Sequence, residues 1–153
     1  MSQPRAYVEI DLTAYKNNIK RLRKDSNAQF LAVVKANAYG HGILDIAKAA
    51  AEANVEWLGV ALPEEAMQLR DAGIKLPIIA WLLPFGEDIK AALKNNVDLG
   101  FSSIKQLDEI EKSGKELGIV PRVHIEVDTG MSRGGFLEEW PTLLSQLPNR
   151  AVK

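Results

Sequence analysis

The chain has 153 residues, 46% of them hydrophobic, with a formal net charge of −1 and no cysteine. That length supports one packed domain, and the near-zero charge gives no electrostatic case for nucleic acid or an anionic membrane surface. The absent thiols exclude disulfides, thiolate metal sites and a cysteine nucleophile. Met1 to Arg5 lead into no signal-peptide apolar region and no stretch approaches membrane-spanning length, so a soluble cytoplasmic protein is expected.

In chain order, Tyr7 to Asp11 reads as a separate short strand, and Leu12, Tyr15, Ile19 and Leu22 mark an amphipathic helix. One unit then repeats. Apolar runs begin at Phe30, Glu56, Pro77, Val97 and Arg122, with starts 26, 21, 20 and 25 residues apart. That is the length of a strand, a loop and a helix. Helix-period apolar positions lie between them: Ile43, Ile46, Ala47 and Ala50; Ala66, Leu69 and Arg70; Ile89, Ala92 and Leu93; Ile104, Leu107 and Ile110. Ser103 (or Ser102) is read as an N-cap, with Gln106 set to complete a capping box to Ser103, while Gly73, Gly114 and Gly118 stand where helices end. A last helical stretch is expected around Leu137 to Leu147.

Strands alternating with helices predict a parallel α/β sheet with right-handed crossovers. A closed (β/α)8 barrel of the TIM type needs roughly 250 residues. Five units therefore make either part of such a barrel or an open doubly wound sheet, and length alone leaves both standing.

Two stretches carry chemistry. Phe30 to Val34 reads as a fully buried strand that ends on Lys35, with Leu31, Val33 and Lys35 on one face by the strand period. The amine is thus delivered to the lip of the core, followed by Asn37, Tyr39 and His41 interleaved with Gly40 and Gly42. For an isolated lysine, a snorkelling side chain before a glycine-rich turn is the simpler account. In the second stretch, Arg122, His124, Glu126 and Asp128 share one face of a strand and Val123, Ile125 and Val127 the other. Alternation alone suits an edge strand with a solvated face; in a parallel barrel the polar side faces the lumen and marks the active-site end.

Both stretches resemble alanine racemases. Val34-Lys35-Ala36-Asn37-Ala38-Tyr39-Gly40-His41-Gly42 is similar to the segment that carries the pyridoxal 5′-phosphate (PLP) lysine, and Asp128, Thr129, Gly130, Met131, Arg133, Gly135 and Phe136 match the family's second motif. The stretch from Tyr7 to Ile19 resembles the family's N-terminal signature. The resemblance runs from Arg5 onward and breaks off inside the barrel. It implies the N-terminal part of a longer homodimeric isomerase that interconverts L- and D-alanine for a bacterial cell wall. Residues 1–12 would then supply a strand to a separate β domain, and residues 13–153 an incomplete PLP-binding barrel.

By the same resemblance Lys35 is the Schiff-base (aldimine) lysine and the base for one face of the substrate. Tyr39 donates to the cofactor phosphate, and Arg133 reaches the PLP phenolic oxygen and the substrate carboxylate. Where many relatives carry a lysine that can be carbamylated, this chain has Glu126. Glu126 is expected to hold Arg133 by a charged hydrogen bond. The family's other base, a tyrosine of the partner subunit, and most of its phosphate cradle match nothing here, so the chain alone is expected to racemise poorly or not at all. A non-catalytic PLP-binding module and a PLP-dependent decarboxylase are the alternatives; the second motif argues against the latter.

The remaining signals are read as structural. His41 and His124 have no metal-ligand spacing, so no metal is expected. Trp57, Trp81 and Trp140 are read as packing residues, with Trp81 able to line the pocket. Glu64, Glu65, Asp108, Glu109 and Glu111 are placed on solvated helix faces, and Met67 and Met131 in core or loop.

Overall fold

A computed structural model describes residues 6–84 and 88–153. Its centre is a parallel sheet in the order β1-β2-β3-β4-β5, formed by Leu31–Val33, Trp57–Val60, Ile78–Ala80, Val97–Phe101 and Val123–Ile125. Each strand is followed by helix before the next begins: α2 (Lys35–Tyr39) and α3 (Ile43–Glu52), α4 (Pro63–Asp71), α5 (Ile89–Lys94), α6 (Ile104–Leu117) and α7 (Trp140–Gln146). Helix α1 (Leu12–Arg23) precedes the sheet, and a 3-10 turn at Leu147–Asn149 follows α7. Successive neighbours with no reversal of order make this a partial barrel rather than a doubly wound sheet. The Lys153 backbone adds a parallel rung beside β5, donating to the Pro121 carbonyl at 2.9 Å and accepting from Val123 at 2.8 Å.

Register sorts the side chains. Ala32, Leu58, Ile78 and Val97 lie on one rung, and Val33, Gly59, Ile79 and Asp98 on the next. Leu58, Val60, Ile78, Ala80, Val97, Leu99 and Phe101 are buried beneath Ile46, Ala47, Ala50, Ala66, Leu69, Ala92, Leu93, Leu107 and Ile110 of the helices. This layer is the core; each large aliphatic side chain in it contributes about 1.5–3 kcal/mol of burial. The opposite, lumen face is open. Leu31 and Val33 are therefore 42% and 40% exposed, against the expectation of a fully buried first strand. Lys35 itself falls outside β1, at the start of α2.

Local signals mostly act where expected. Asp11 caps α1 by accepting from Ala14 N–H at 2.9 Å, and Asp88 caps α5 in the same way. Gly118, at φ 67°, ends α6. Gly114, however, lies inside α6: a Cβ there would sit 2.6 Å from Pro121 Cγ, so close approach rather than termination requires glycine. Residues 6–11 pair with no strand among the described residues, and Tyr7 and Val8 are exposed.

Of the carboxylates placed on solvated faces, Glu65, Asp108 and Glu111 accept hydrogen bonds from the protein instead. Glu111 accepts from Arg150 and from Ala151 N–H, and Asp108 from Arg150, fastening the last residues to α6. Glu56 holds both Arg23 of α1 and the Phe30 amide.

Candidate active site

Parallel strands bring all their C-terminal ends to one lip, where the following loops build a site. Lys35 leaves β1 at that lip. Its Nζ lies 5.8 Å from the Tyr39 ring centroid and 5.7 Å from that of Trp81. It makes no hydrogen bond or ion pair among the described residues. The half-buried amine is thus flanked by aromatic rings yet chemically uncommitted. The structure brings Lys35 and Tyr39 together as the motif suggested, and adds Trp81.

The backbone behind Lys35 is unusual. Ala36, Asn37, Ala38 and Tyr39 have φ of 50°, 54°, 52° and 55°, a complete left-handed turn built without glycine. Each such residue costs about 1–2 kcal/mol, so the surroundings must over-determine the turn. Asn37 Oδ1 accepts from Ile43 N–H at 2.9 Å, and Gly42 N–H donates to the Asn37 carbonyl at 3.0 Å. His41 Nδ1 donates to the Ala38 carbonyl at 2.8 Å. From outside the segment, Glu65 accepts from Ala36 N–H at 2.6 Å. Asn37 and His41 thus brace the turn through their side chains.

Glu65, expected on a solvated helix face, is instead bound to backbone amides. It occupies the third position of α4, after Pro63 at the first, and reaches back to Ala61 and Leu62 N–H at 2.8 and 3.1 Å. Half of a capping-box signature is therefore present in the sequence, but the cap position is Leu62, which supplies no acceptor.

Arg133 lies beyond the end of β5, on the same lip as Lys35 but at the opposite edge of the sheet. Its loop is closed at the base by Phe136 N–H to the Glu126 carbonyl at 2.8 Å and Asp128 N–H to the Phe136 carbonyl at 3.1 Å. Phe136 is buried edge-on against Phe101, with centroids 5.6 Å apart. Inside the loop, Asp128 Oδ1 accepts from Gly130 and Ser132 N–H at 2.9 and 3.0 Å. Those amides, Ser132 first, hold the Asp128 carboxyl below its ordinary range. Gly135, at φ 107°, would place a Cβ 2.5 Å from Asp128 N, so the motif glycine is sterically required.

Arg133 is exposed and forms no ion pair with Glu126 among the described residues. The half-buried Glu126 carboxylate is turned toward Gly134 instead, 3.5 Å from where a Cβ there would lie. The contact expected between Glu126 and Arg133 is not made in this conformation.

The polar face of β5 does line the lumen, but part of it is committed. Asp98 accepts from Arg122 Nε at 2.6 Å and His124 Nε2 at 2.9 Å. Arg122 stacks 4.3 Å above the Trp57 ring, and Trp57 meets His124 edge-on at 6.0 Å. This network forms a floor between strands and leaves Arg122 and His124 spoken for.

Comparison with known proteins agrees with this architecture. The family model "Alanine racemase, N-terminal domain" matches residues 10–152. An alanine racemase of Salinispora tropica is 44% identical over 91% of this chain and 38% of its own length. The crystal structure of alanine racemase from D-cycloserine-producing Streptomyces lavendulae superposes with a TM-score of 0.87 at 37% identity, covering 94% of this chain and 39% of that one. That of Bacillus anthracis with bound L-Ala-P gives 0.82 at 34%, covering 94% and 38%. The chain thus spans 38% of the length of the first curated relatives it matches. It belongs to the alanine racemase N-terminal domain family.

Proposed function

We propose that this chain supplies the PLP-anchoring part of an alanine racemase. The carrying observation is the uncommitted Lys35 amine, set between Tyr39 and Trp81 at the C-terminal lip of a partial barrel. That donor set suits an aldehyde cofactor: a free amine to bond it, an aromatic wall, and an exposed phenol to donate to a phosphate. Lys35, Tyr39 and Arg133 would hold the group. When bound, PLP supplies an electron sink that draws charge from the α-carbon of an amino acid, so that its proton can leave.

This chain's own residues account for binding, orientation and one proton. Lys35 Nζ accepts and returns the α-proton on one face. Arg133 binds the substrate carboxylate through its planar fork, a geometry that an ammonium does not reproduce. Glu126, a half-buried carboxylate just past β5 at the base of the loop, draws Arg133 into place once substrate occupies the site. A base for the opposite face comes from a second subunit of a cytoplasmic homodimer, and the product D-alanine serves cell-wall synthesis. Residues 6–11 pair within a β domain of the complete protein. Among the described residues no helix is long and apolar enough to cross a membrane.

The test is a PLP titration followed by visible absorption. The reading expects a new band that L- and D-alanine both perturb and that Lys35→Ala abolishes. A band that survives Lys35→Ala, or carbon-dioxide release from alanine, contradicts it.

A further inference from the structure

We infer that Glu65 is a positioning residue for Lys35: from helix α4 it clamps the left-handed turn that aims the amine, an inference that rests on the PLP-anchoring reading above. One carboxylate binds three backbone N–H groups from two successive strand ends. Oε1 accepts from Ala36, the residue directly after Lys35, at 2.6 Å. Oε2 accepts from Ala61 and Leu62, just past β2, at 2.8 and 3.1 Å. The β1 and β2 ends are thereby tied together at the lip by a side chain on neither strand.

The need for such a tie comes from the turn. Ala36 to Tyr39 hold positive φ without glycine, and among the described residues their other hydrogen bonds beyond the segment go to Val34 and to Gly40 through Ile43, their near neighbours in sequence. Among the described residues, only Glu65 ties Ala36, the first residue of the turn, by a hydrogen bond to a helix of the scaffold. Helix α4 is itself anchored by Ala66 and Leu69, both fully buried. Rigid burial therefore passes through Glu65 to the peptide bond that joins Lys35 to Ala36. Losing the clamp lets that peptide rotate toward ordinary φ, which swings the amine away from Trp81 and Tyr39.

Glu65→Gln discriminates this role from general support. A glutamine retains one acceptor oxygen, which suffices for the Ala61 and Leu62 amides, but its NH2 then faces Ala36 N–H as donor against donor. Three readouts are taken on wild type, Glu65→Gln and the exposed neighbour Glu64→Gln: thermal midpoint, hydrogen exchange at the Ala36 amide, and the rate of PLP trapping on Lys35 by borohydride. The inference expects Glu65→Gln to keep a cooperative melt, to exchange Ala36 at least tenfold faster, and to trap Lys35 at least tenfold more slowly. Glu64→Gln should move none of these. Unchanged Ala36 exchange in Glu65→Gln overturns the inference. Unprotected Ala36 in wild type overturns it too, and that measurement stands even where the variant does not fold. If wild type shows a protected Ala36 yet traps no PLP on Lys35, the clamp stands and the cofactor reading fails.

Discussion

Gly59 makes room for Trp81: a Cβ on Gly59 would lie 2.5 Å from the indole Cζ3. Gly100 does the same on the other side, where a Cβ would meet Trp81 Cα at 2.7 Å. Gly59 thus clears space for the indole and Gly100 for the Trp81 backbone, and the ring flanks the Lys35 amine. The arrangement links sheet packing to the site's aromatic wall.

Gly59→Ala should therefore displace the indole rather than unfold the sheet, since a ring edge yields more readily than backbone. The expected cost is about 1–3 kcal/mol for overpacking. Tryptophan fluorescence should shift and PLP trapping on Lys35 should slow. Gly100→Ala, which presses on backbone, should be the more destabilising of the two in urea unfolding.

Arg70 donates to four backbone carbonyls, those of Asn95, Ile74, Leu76 and Asn96, at 2.8–2.9 Å. Burial pushes its guanidinium below its ordinary value. The planar fork cannot be copied by a single ammonium. Arg70→Ala should cost about 3 kcal/mol in urea unfolding, and Arg70→Lys about 2 kcal/mol.

Glu56 ties α1 to the sheet, and its carboxyl is lowered to about 2, first by hydrogen bonds from Arg23 and then by the Phe30 amide. A depressed carboxyl contributes stability above its unfolded value, and that contribution is lost as pH falls through the folded value. The melting temperature should thus decline as pH falls from about 4.5 to about 2. Glu56→Gln should melt lower at neutral pH and show a shallower decline across that window.

Phe136 is the anchor of the Arg133 loop, buried against Phe101. Phe136→Ala should cost about 3–5 kcal/mol. Loop amides at Gly130 and Ser132 should then exchange faster than those of the sheet. Phe136→Leu should recover most of the loss.

Much of this was readable because periodic burial writes itself into sequence. The five apolar runs from Phe30, Glu56, Pro77, Val97 and Arg122 all lead into strands, and the alternation through Arg122, His124 and Glu126 does report the lumen face. Leu31 and Val33 misled, because an apolar lumen face has the same composition as a buried core. Long-range polar contacts stayed hidden for a different reason: sequence shows a donor but not its acceptor. Gln106 is an example. Ser103 caps α6 as expected, yet Gln106 accepts from Ser102 N–H and donates to the Leu83 carbonyl at 3.0 Å, on the loop after β3. It repeats after β4 what Glu65 does after β2; the capping pattern is legible at Gln106, Glu65 reads from sequence as solvated, and the cross-loop reach is visible at neither. Arg133 follows the C-terminal end of β5, and its pairing with Glu126 depends on loop conformation, which no local pattern encodes.

The most direct test of the account is borohydride reduction in the presence of PLP, followed by peptide mass mapping. The account predicts one pyridoxyl group per chain, on Lys35. Label spread over Lys20, Lys48 and other surface lysines, or none at all, would contradict the assignment of Lys35 as the cofactor's anchor.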